Sequence, residues 1–152
     1  MSYIEILILR RLRGGPAHGY ELRKRVEETT GFVPYSPLGR GFLTATVDLS
    51  TLGERDFRRR NPRFVGEAGQ KNLAIVNAVR KVADAKGVAP AQVALAWVYA
   101  QQERLGVNLA PIPGTKRIKW LEQNVAALDV TLSADELALL DPLAAQVAGA
   151  RY

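Results

Sequence analysis

The sequence predicts a mostly helical α/β domain. Three observations carry this: two short extended runs each end in a glycine- and proline-rich turn, several later segments repeat apolar residues at helical spacing, and two helices stand ahead of the first extended run. At 152 residues and 47% hydrophobic, the chain is long enough for one core of ordinary size and short for two.

The first helix is read over residues 2–13, where Ile4, Leu7, Ile8 and Leu12 fall near helical spacing; Gly14, Gly15 and Pro16 then stop it. A second helix follows over 17–29, with Tyr20, Leu22 and Val26 inward and Glu21, Arg23, Lys24, Glu27 and Glu28 mostly outward. At Phe32 the character changes. Residues 32–35 form an extended run that leads into the turn Ser36-Pro37-Leu38-Gly39-Arg40-Gly41, and an irregular loop comes next, including 48–53 and the basic stretch 58–63.

A long helix is expected over 66–86, with Leu73, Val76, Val79 and Val82 on one face and Gly87 placed to end it. Its apolar stripe requires a partner, and the next helix supplies one. That helix begins with Pro90 in its first turn and carries Val93, Ala94, Trp97 and Val98 on one side, while its many alanines permit close packing. A second extended run over 108–112, a Pro113-Gly114 turn and a helix over 116–128 complete the pattern. Ser133 and Glu136 form a capping box for a last helix with Leu137, Leu140 and Leu143 on its apolar face.

Composition removes whole classes of chemistry. The chain has no cysteine, which excludes disulfides, thiolate catalysis and cysteine-ligated metals. Its one histidine, His18, cannot form a multi-histidine metal site, so no metal is expected. The apolar run 6–9 is interrupted at once by Arg10, Arg11 and Arg13, and no later run approaches a membrane span; a cytoplasmic, soluble protein is expected. The formal charge of +6 suits anionic partners without choosing among them. Residues 1–31 hold six basic and four acidic side chains, and residues 32–152 hold fifteen and eleven, so neither part demands nucleic acid.

The turn 111–117 carries the most chemistry. A strand that runs into a glycine turn and then a helix presents free backbone N–H groups, and anions bind there readily. Gly114 admits close backbone approach, and Thr115 either caps the helix or donates its hydroxyl to a phosphate oxygen. Lys116 and Arg117 set two cations at the positive end of the helix dipole, unfavourable by roughly 0.3–1 kcal/mol each unless an anion relieves it. An ordinary capped helix with solvated basic residues is the competing reading. For the run 58–63, a solvated loop is favoured over nucleic-acid contact because no stacking aromatic recurs along it. Trp97 is read as core; Trp120 stays open.

Two resemblances sharpen this picture. Arg13-Gly14-Gly15-Pro16-Ala17-His18-Gly19-Tyr20-Glu21-Leu22 resembles the opening of PadR-like winged-helix transcription regulators, and the likeness stops after Gly31, before that family's recognition helix and wing. Residues 32–143 resemble the C-terminal part of the aldo-keto reductases. The carrying motifs are Val33-Pro34-Tyr35-Ser36-Pro37-Leu38-Gly39-Arg40-Gly41-Phe42-Leu43, then Phe57-Arg58-Arg59, Pro62-Arg63-Phe64, Pro90-Ala91-Gln92-Val93-Ala94-Leu95-Ala96-Trp97, and the stretch 112–128.

The reductase resemblance implies NADPH as cofactor and a partial (β/α)8 barrel fragment, its last two β/α units, behind the two N-terminal helices. It implies Ser36, Leu38 and Gly41 along the pyrophosphate, and Gly114, Thr115, Lys116 and Arg117 about the adenosine 2′-phosphate. Gln123 and Asn124 fall at the adenine end. Gln123 stands where the family usually has Glu and Trp120 where many members have Arg; Lys116 and Arg117 compensate for the second.

The family's tyrosine, lysine, aspartate and histidine come from earlier barrel strands, with no counterpart in this sequence. Tyr35 belongs to the cofactor-loop motif and His18 to the N-terminal helices, so no catalytic residue is assigned. The expected organisation is thus a PadR-like segment over 1–31 joined to a reductase fragment over 32–152. The expected function is NADPH binding without independent turnover. A regulator remnant that dimerises or contacts DNA through its first helices, and a recombination product without activity, are the alternatives. Because two strands cannot close a barrel, self-association or a complementing chain is expected.

Overall fold

The computed structural model describes residues 33–35, 37–48, 50–105 and 109–150. The helices expected over 2–13 and 17–29, the junction at Gly31, and Phe32, Ser36 and Asn108 lie outside the described residues.

Strand β1 (Val33–Tyr35) and strand β2 (Leu109–Pro111) are three residues each. They pair in parallel, with Val33 opposite Leu109, Pro34 opposite Ala110 and Tyr35 opposite Pro111. Ile112, expected in the second extended run, falls beyond the strand. Proline explains the shortness: Pro34 and Pro111 bring no N–H to the ladder, and Pro113 prevents its extension.

Parallel strands need a long crossover. Here it contains helix α1 (Gly66–Lys86) and helix α2 (Pro90–Leu105), which pack on each other. Gly87 closes α1 in the left-handed region at φ 67°, its N–H reaching the carbonyls of Ala83 and Asp84. Asn72, Ile75, Val76, Val79, Val82 and Ala83 are buried along one face of α1, whereas Leu73, expected there, is only half-buried.

Helix α2 departs from expectation more sharply. Ala91, Val93, Ala94, Leu95, Ala96 and Val98 are all buried, so the helix is enclosed on most sides instead of one. The reason is its neighbourhood: α1, β2, the turn Gly39–Thr44 and the chain after residue 117 all pack on it, and its small alanines let them approach. Trp97 joins the core while its indole N–H donates to Asp141 Oδ1 at 2.9 Å. Arg104 pairs with the other carboxylate oxygen of Asp141. These two donors, Trp97 first, hold the Asp141 carboxyl below the usual carboxylate range.

The helix expected over 116–128 is corrected. Helix α3 runs Ile118–Val125, and a 3-10 turn, Ala126–Asp129, follows. Lys116 therefore precedes the helix and Arg117 is its extended N-cap, at φ −122° and ψ 132°. The Arg117 N–H turns back to Thr115 Oγ1 at 3.2 Å, which diverts the chain before the first helical turn.

Helix α4 (Ala134–Leu140) starts with both hydrogen bonds of the capping box, Ser133 N to Glu136 Oε2 at 2.7 Å and Glu136 N to Ser133 Oγ at 3.3 Å. It is shorter than its apolar pattern suggested. Pro142 lacks the N–H that an α-helix would need, so Asp141–Gln146 continues as a 3-10 turn, and Leu143 reaches the core from there. The central cluster is Val79, Val82, Ala83, Val93 and Leu140, with Leu43, Val88, Leu132 and Leu143 packed around it.

A buried amide fastens the remaining chain. Asn72 is 3% exposed. Its Nδ2 donates to the carbonyls of Arg63 and Ala148, each at 2.9 Å, and its Oδ1 accepts from Ala148 N at 2.9 Å. Phe64, buried beside it, stacks edge-on against Phe42 with ring centroids 5.1 Å apart. Gly69 has no room for a side chain, because a Cβ there would lie 2.6 Å from the Phe64 backbone.

Candidate functional site

The parallel register has a direct geometric consequence. Tyr35 and Pro111 are partners at the C-terminal ends of their strands, so the turns that follow both strands leave the sheet at the same end. Ligands of parallel α/β sheets bind outside that end, where loops are free of the ladder. Two candidate turns that lie far apart in sequence thus share one edge.

The first turn has an uncommon backbone. Gly39, Arg40 and Gly41 are successively left-handed, at φ 54°, 61° and 89°. Arg40 is the one of the three with a side chain, and its conformation is disfavoured by roughly 1–2 kcal/mol. Its guanidinium lies over the Phe57 ring, 5.6 Å from the centroid. The Leu38 carbonyl accepts from Gly41 N at 2.9 Å and from Leu43 N at 3.3 Å, and Thr44 Oγ1 donates to the Gly41 carbonyl at 2.7 Å. Leu38 and Gly41 are half-buried and sit together in this turn; Ser36 lies outside the described residues.

The second turn is anchored at its base and open at its tip. Pro111 is buried, Ile112 and Pro113 are half-buried, and Gly114, Thr115, Lys116 and Arg117 are exposed. A Cβ at Gly114 would meet nothing within 4 Å, so backbone is open to close approach there. Thr115 uses its hydroxyl on Arg117, accepting from the backbone N–H; it does not cap the first turn of α3.

Asn124 is buried, 9% exposed, with Nδ2 3.5 Å from the Pro113 carbonyl. It ties α3 to the base of the turn. Gln123 is half-buried beside it. Trp120 is 37% exposed and Lys119 Nζ lies 4.9 Å from its ring centroid, a cation–π contact at the surface.

The basic run contains a residue that sequence reasoning missed. Asp56 caps the 3-10 turn Phe57–Arg60 by accepting from Arg58 N at 3.0 Å, and it grips the Arg58 guanidinium through Nε at 2.9 Å and Nη2 at 2.6 Å. Arg58 in turn lies against Gly41: a Cβ on Gly41 would sit 3.4 Å from Arg58 Nη1. The Asp56 carboxyl is lowered to about 2, chiefly by its hydrogen bonds to the Arg58 side chain and backbone, and the same pairing raises Arg58. The acid-x-arginine spacing was a local signal for this pair. Its contact with Gly41 left none. Arg59 Nη1 donates to the Leu52 carbonyl at 3.0 Å, within its own loop, and Arg63 Nε to the Gly149 carbonyl at 3.1 Å, across to the C-terminal segment, so these two arginines hold the fold.

The residues fit an anionic ligand at the sheet edge: open backbone at Gly114, an exposed hydroxyl and two exposed cations on one turn, and a left-handed glycine turn on the other. Among the described residues, no group of three carboxylate or histidine side chains could hold a metal ion, and no helix is long and apolar enough to cross a membrane.

The sequence is similar to known proteins. The aldo-keto reductase yakc of Schizosaccharomyces pombe, whose name specifies NADP(+), is 44% identical over 129 residues, which cover 83% of this chain and 37% of that protein. The chain thus spans well under half the length of this relative. The aldo/keto reductase family model matches residues 21–145, a range that includes both turns, the Asp56–Arg58 pair and the four α-helices among the described residues. The chain belongs to the aldo/keto reductase family.

Proposed function

We propose that this chain forms the cofactor-holding end of an NADPH-dependent oxidoreductase, built as the last two β/α units of a (β/α)8 barrel. The observation that carries the proposal is the parallel pairing of β1 with β2, which sets the turn 38–41 and the turn 114–117 at one sheet end. Ser36, Leu38 and Gly41 hold the pyrophosphate, and Gly114, Thr115, Lys116 and Arg117 take the adenosine 2′-phosphate. Gln123 and Asn124 define the adenine end, Asn124 through its hold on the Pro113 carbonyl. The NADP(+) in the name of the yeast relative supports this cofactor.

When bound, NADPH supplies hydride to a carbonyl carbon. The chain's own residues bind and orient it. The proton for the carbonyl oxygen has no donor assigned here, so turnover is proposed only for an assembly that contributes the family's catalytic tyrosine, lysine, aspartate and histidine. Among the described residues each strand has a single neighbour, and we propose that a complementing chain or a second copy covers the outer edges. Light scattering on the purified protein checks for the second copy, and a monomer at high concentration refutes self-association and leaves the complementing chain.

The cofactor assignment is tested by tryptophan fluorescence during titration with NADPH and with NADH. NADPH binds more tightly, and the double substitution Lys116→Met, Arg117→Met removes the preference, a loss of roughly tenfold or more for each charge-assisted contact. Equal affinities for the two nucleotides in the unsubstituted chain refute the role given to these residues.

A further inference from the structure

We propose that the N-terminal segment of this chain seats its own apolar stripe, Ile4, Leu7, Ile8 and Leu12, on the exposed apolar face of helix α3. The proposal is independent of the cofactor reading above.

Helix α3 is packed on one side only. Asn124 is its one buried residue, and Ala127 is buried in the turn that follows. Helix α2 packs on both of these elements. Ile118, Leu121, Val125 and Leu128, by contrast, are exposed at 75%, 47%, 37% and 47%. Their spacing of three, four and three residues sets all four within about a quarter of the helix circumference. Such a stripe of large aliphatic side chains is the face that a surface helix buries against a neighbour.

Residues 1–32 lie outside the described residues, and their sequence carries a stripe to match. Ile4, Leu7, Ile8 and Leu12 recur at helical spacing, and residues 1–20 precede the stretch that matches the reductase family, so that family's own packing assigns them no seat. The two stripes agree in length: at about 1.5 Å per residue, Ile118 to Leu128 spans about 15 Å and Ile4 to Leu12 about 12 Å. Reach is sufficient as well. With the pattern at 17–29 helical and the rest extended, the stretch 14–32 spans up to about 40 Å from Val33, more than the width of a small domain.

Charge favours a parallel arrangement. Arg11 falls within the N-terminal stripe, one turn beyond Leu7 and Ile8. Glu122 and Asp129 are exposed next to Leu121 and Leu128 along one flank of the α3 stripe, and Lys116, Arg117 and Lys119 gather at its start. Laid parallel, the segment sets Arg11 near Glu122 and Asp129 and Glu5 toward Lys116 and Lys119; the reverse direction sets like charges together. Tethering favours this occupant over a second copy, because a stripe on the same chain is present at an effective concentration of about millimolar.

The chain has no cysteine, so an engineered pair supplies its only thiols. The full chain carrying Leu7→Cys with Leu121→Cys, a pair in the middle of the two stripes, is treated with a short flexible bismaleimide. The control is Leu7→Cys with Leu139→Cys, whose second position is exposed on α4. The first pair links within one molecule, and the control links roughly tenfold less. In the chain without engineered thiols, Leu7→Asp speeds hydrogen exchange across residues 118–128 roughly tenfold and leaves residues 75–96 protected.

A link between two molecules seats a second copy on α3 and overturns the proposal. Equal linking of both pairs shows a segment without a fixed seat, and absence of any link shows that α3 is bare or covered by something else; each overturns it. So does unchanged exchange across 118–128 in Leu7→Asp, even where the link forms, because the contact then buries nothing.

Discussion

Replacing Asn72 with alanine removes three hydrogen bonds at once, and their geometry sets the size of the effect. The amide is 3% exposed and joins helix α1 to the carbonyls of Arg63 and Ala148 and to the Ala148 N–H, each at 2.9 Å. With a net value of about 1 kcal/mol per hydrogen bond, Asn72→Ala destabilises the fold by about 3 kcal/mol. For a chain of this size that lowers the thermal midpoint by roughly 6–12 °C, at about 2–4 °C per kcal/mol. Circular dichroism melts read it directly.

A truncation after Val147 separates the two arms of the amide. It removes the two bonds to Ala148, together with the exposed bond from Arg63 Nε to the Gly149 carbonyl, and leaves the Asn72 bond to Arg63, so it lowers stability by about 2–3 kcal/mol, and Asn72→Ala in the truncated chain then costs only about 1 kcal/mol more. A midpoint that moves by less than about 2 °C in Asn72→Ala would sink this reasoning, because a buried amide with three partners cannot be so nearly neutral. Fully additive losses from the substitution and the truncation would show that Asn72 does not act through the tail.

Other outcomes follow from single contacts. Gly114→Ala leaves the melting midpoint unchanged, since its Cβ meets nothing within 4 Å, yet weakens NADPH binding; equal binding by both forms counts against ligand contact at this backbone. Gly69→Ala forces a Cβ to 2.6 Å from the Phe64 backbone and destabilises by about 1–3 kcal/mol in urea titrations, so a neutral result means Phe64 is free to move. The Asp56 carboxyl is depressed from 3.8 to about 2, so its stabilising effect is full above pH 3.8 and disappears as pH falls through about 2. Carboxyl-carbon NMR titration follows this directly, and a midpoint near 3.8 shows that the Arg58 pair does not form in solution.

Much of the helical framework was legible because its signals are local. Gly87 ends α1 where its left-handed φ is needed, Pro90 begins α2, and Ser133 with Glu136 forms the capping box of α4 as the spacing indicated. The contents of the second turn were legible too, since glycine, a hydroxyl and two cations before an amphipathic helix are adjacent residues. The start of α3 was misplaced by two residues. The deciding contact, Arg117 N–H to Thr115 Oγ1, competes with helix formation and leaves no mark in the apolar period.

What the sequence by itself determined is therefore a set of helices, caps and turns, each specified by residues within a few positions of one another, and through its motifs the family. Only the tertiary structure decided which of them meet. Parallel pairing of two three-residue strands brings the turns 38–41 and 114–117 to one edge, although neither strand pattern names its partner. Enclosure of α2 on most sides depends on neighbours that the helix's own apolar spacing does not reveal. The Asn72 amide reaches Ala148, and the Arg58 guanidinium reaches Gly41, only after the chain has folded back on itself. Periodicity reports which face of a segment avoids water; it carries no information about which distant segment covers that face, because burial is non-directional.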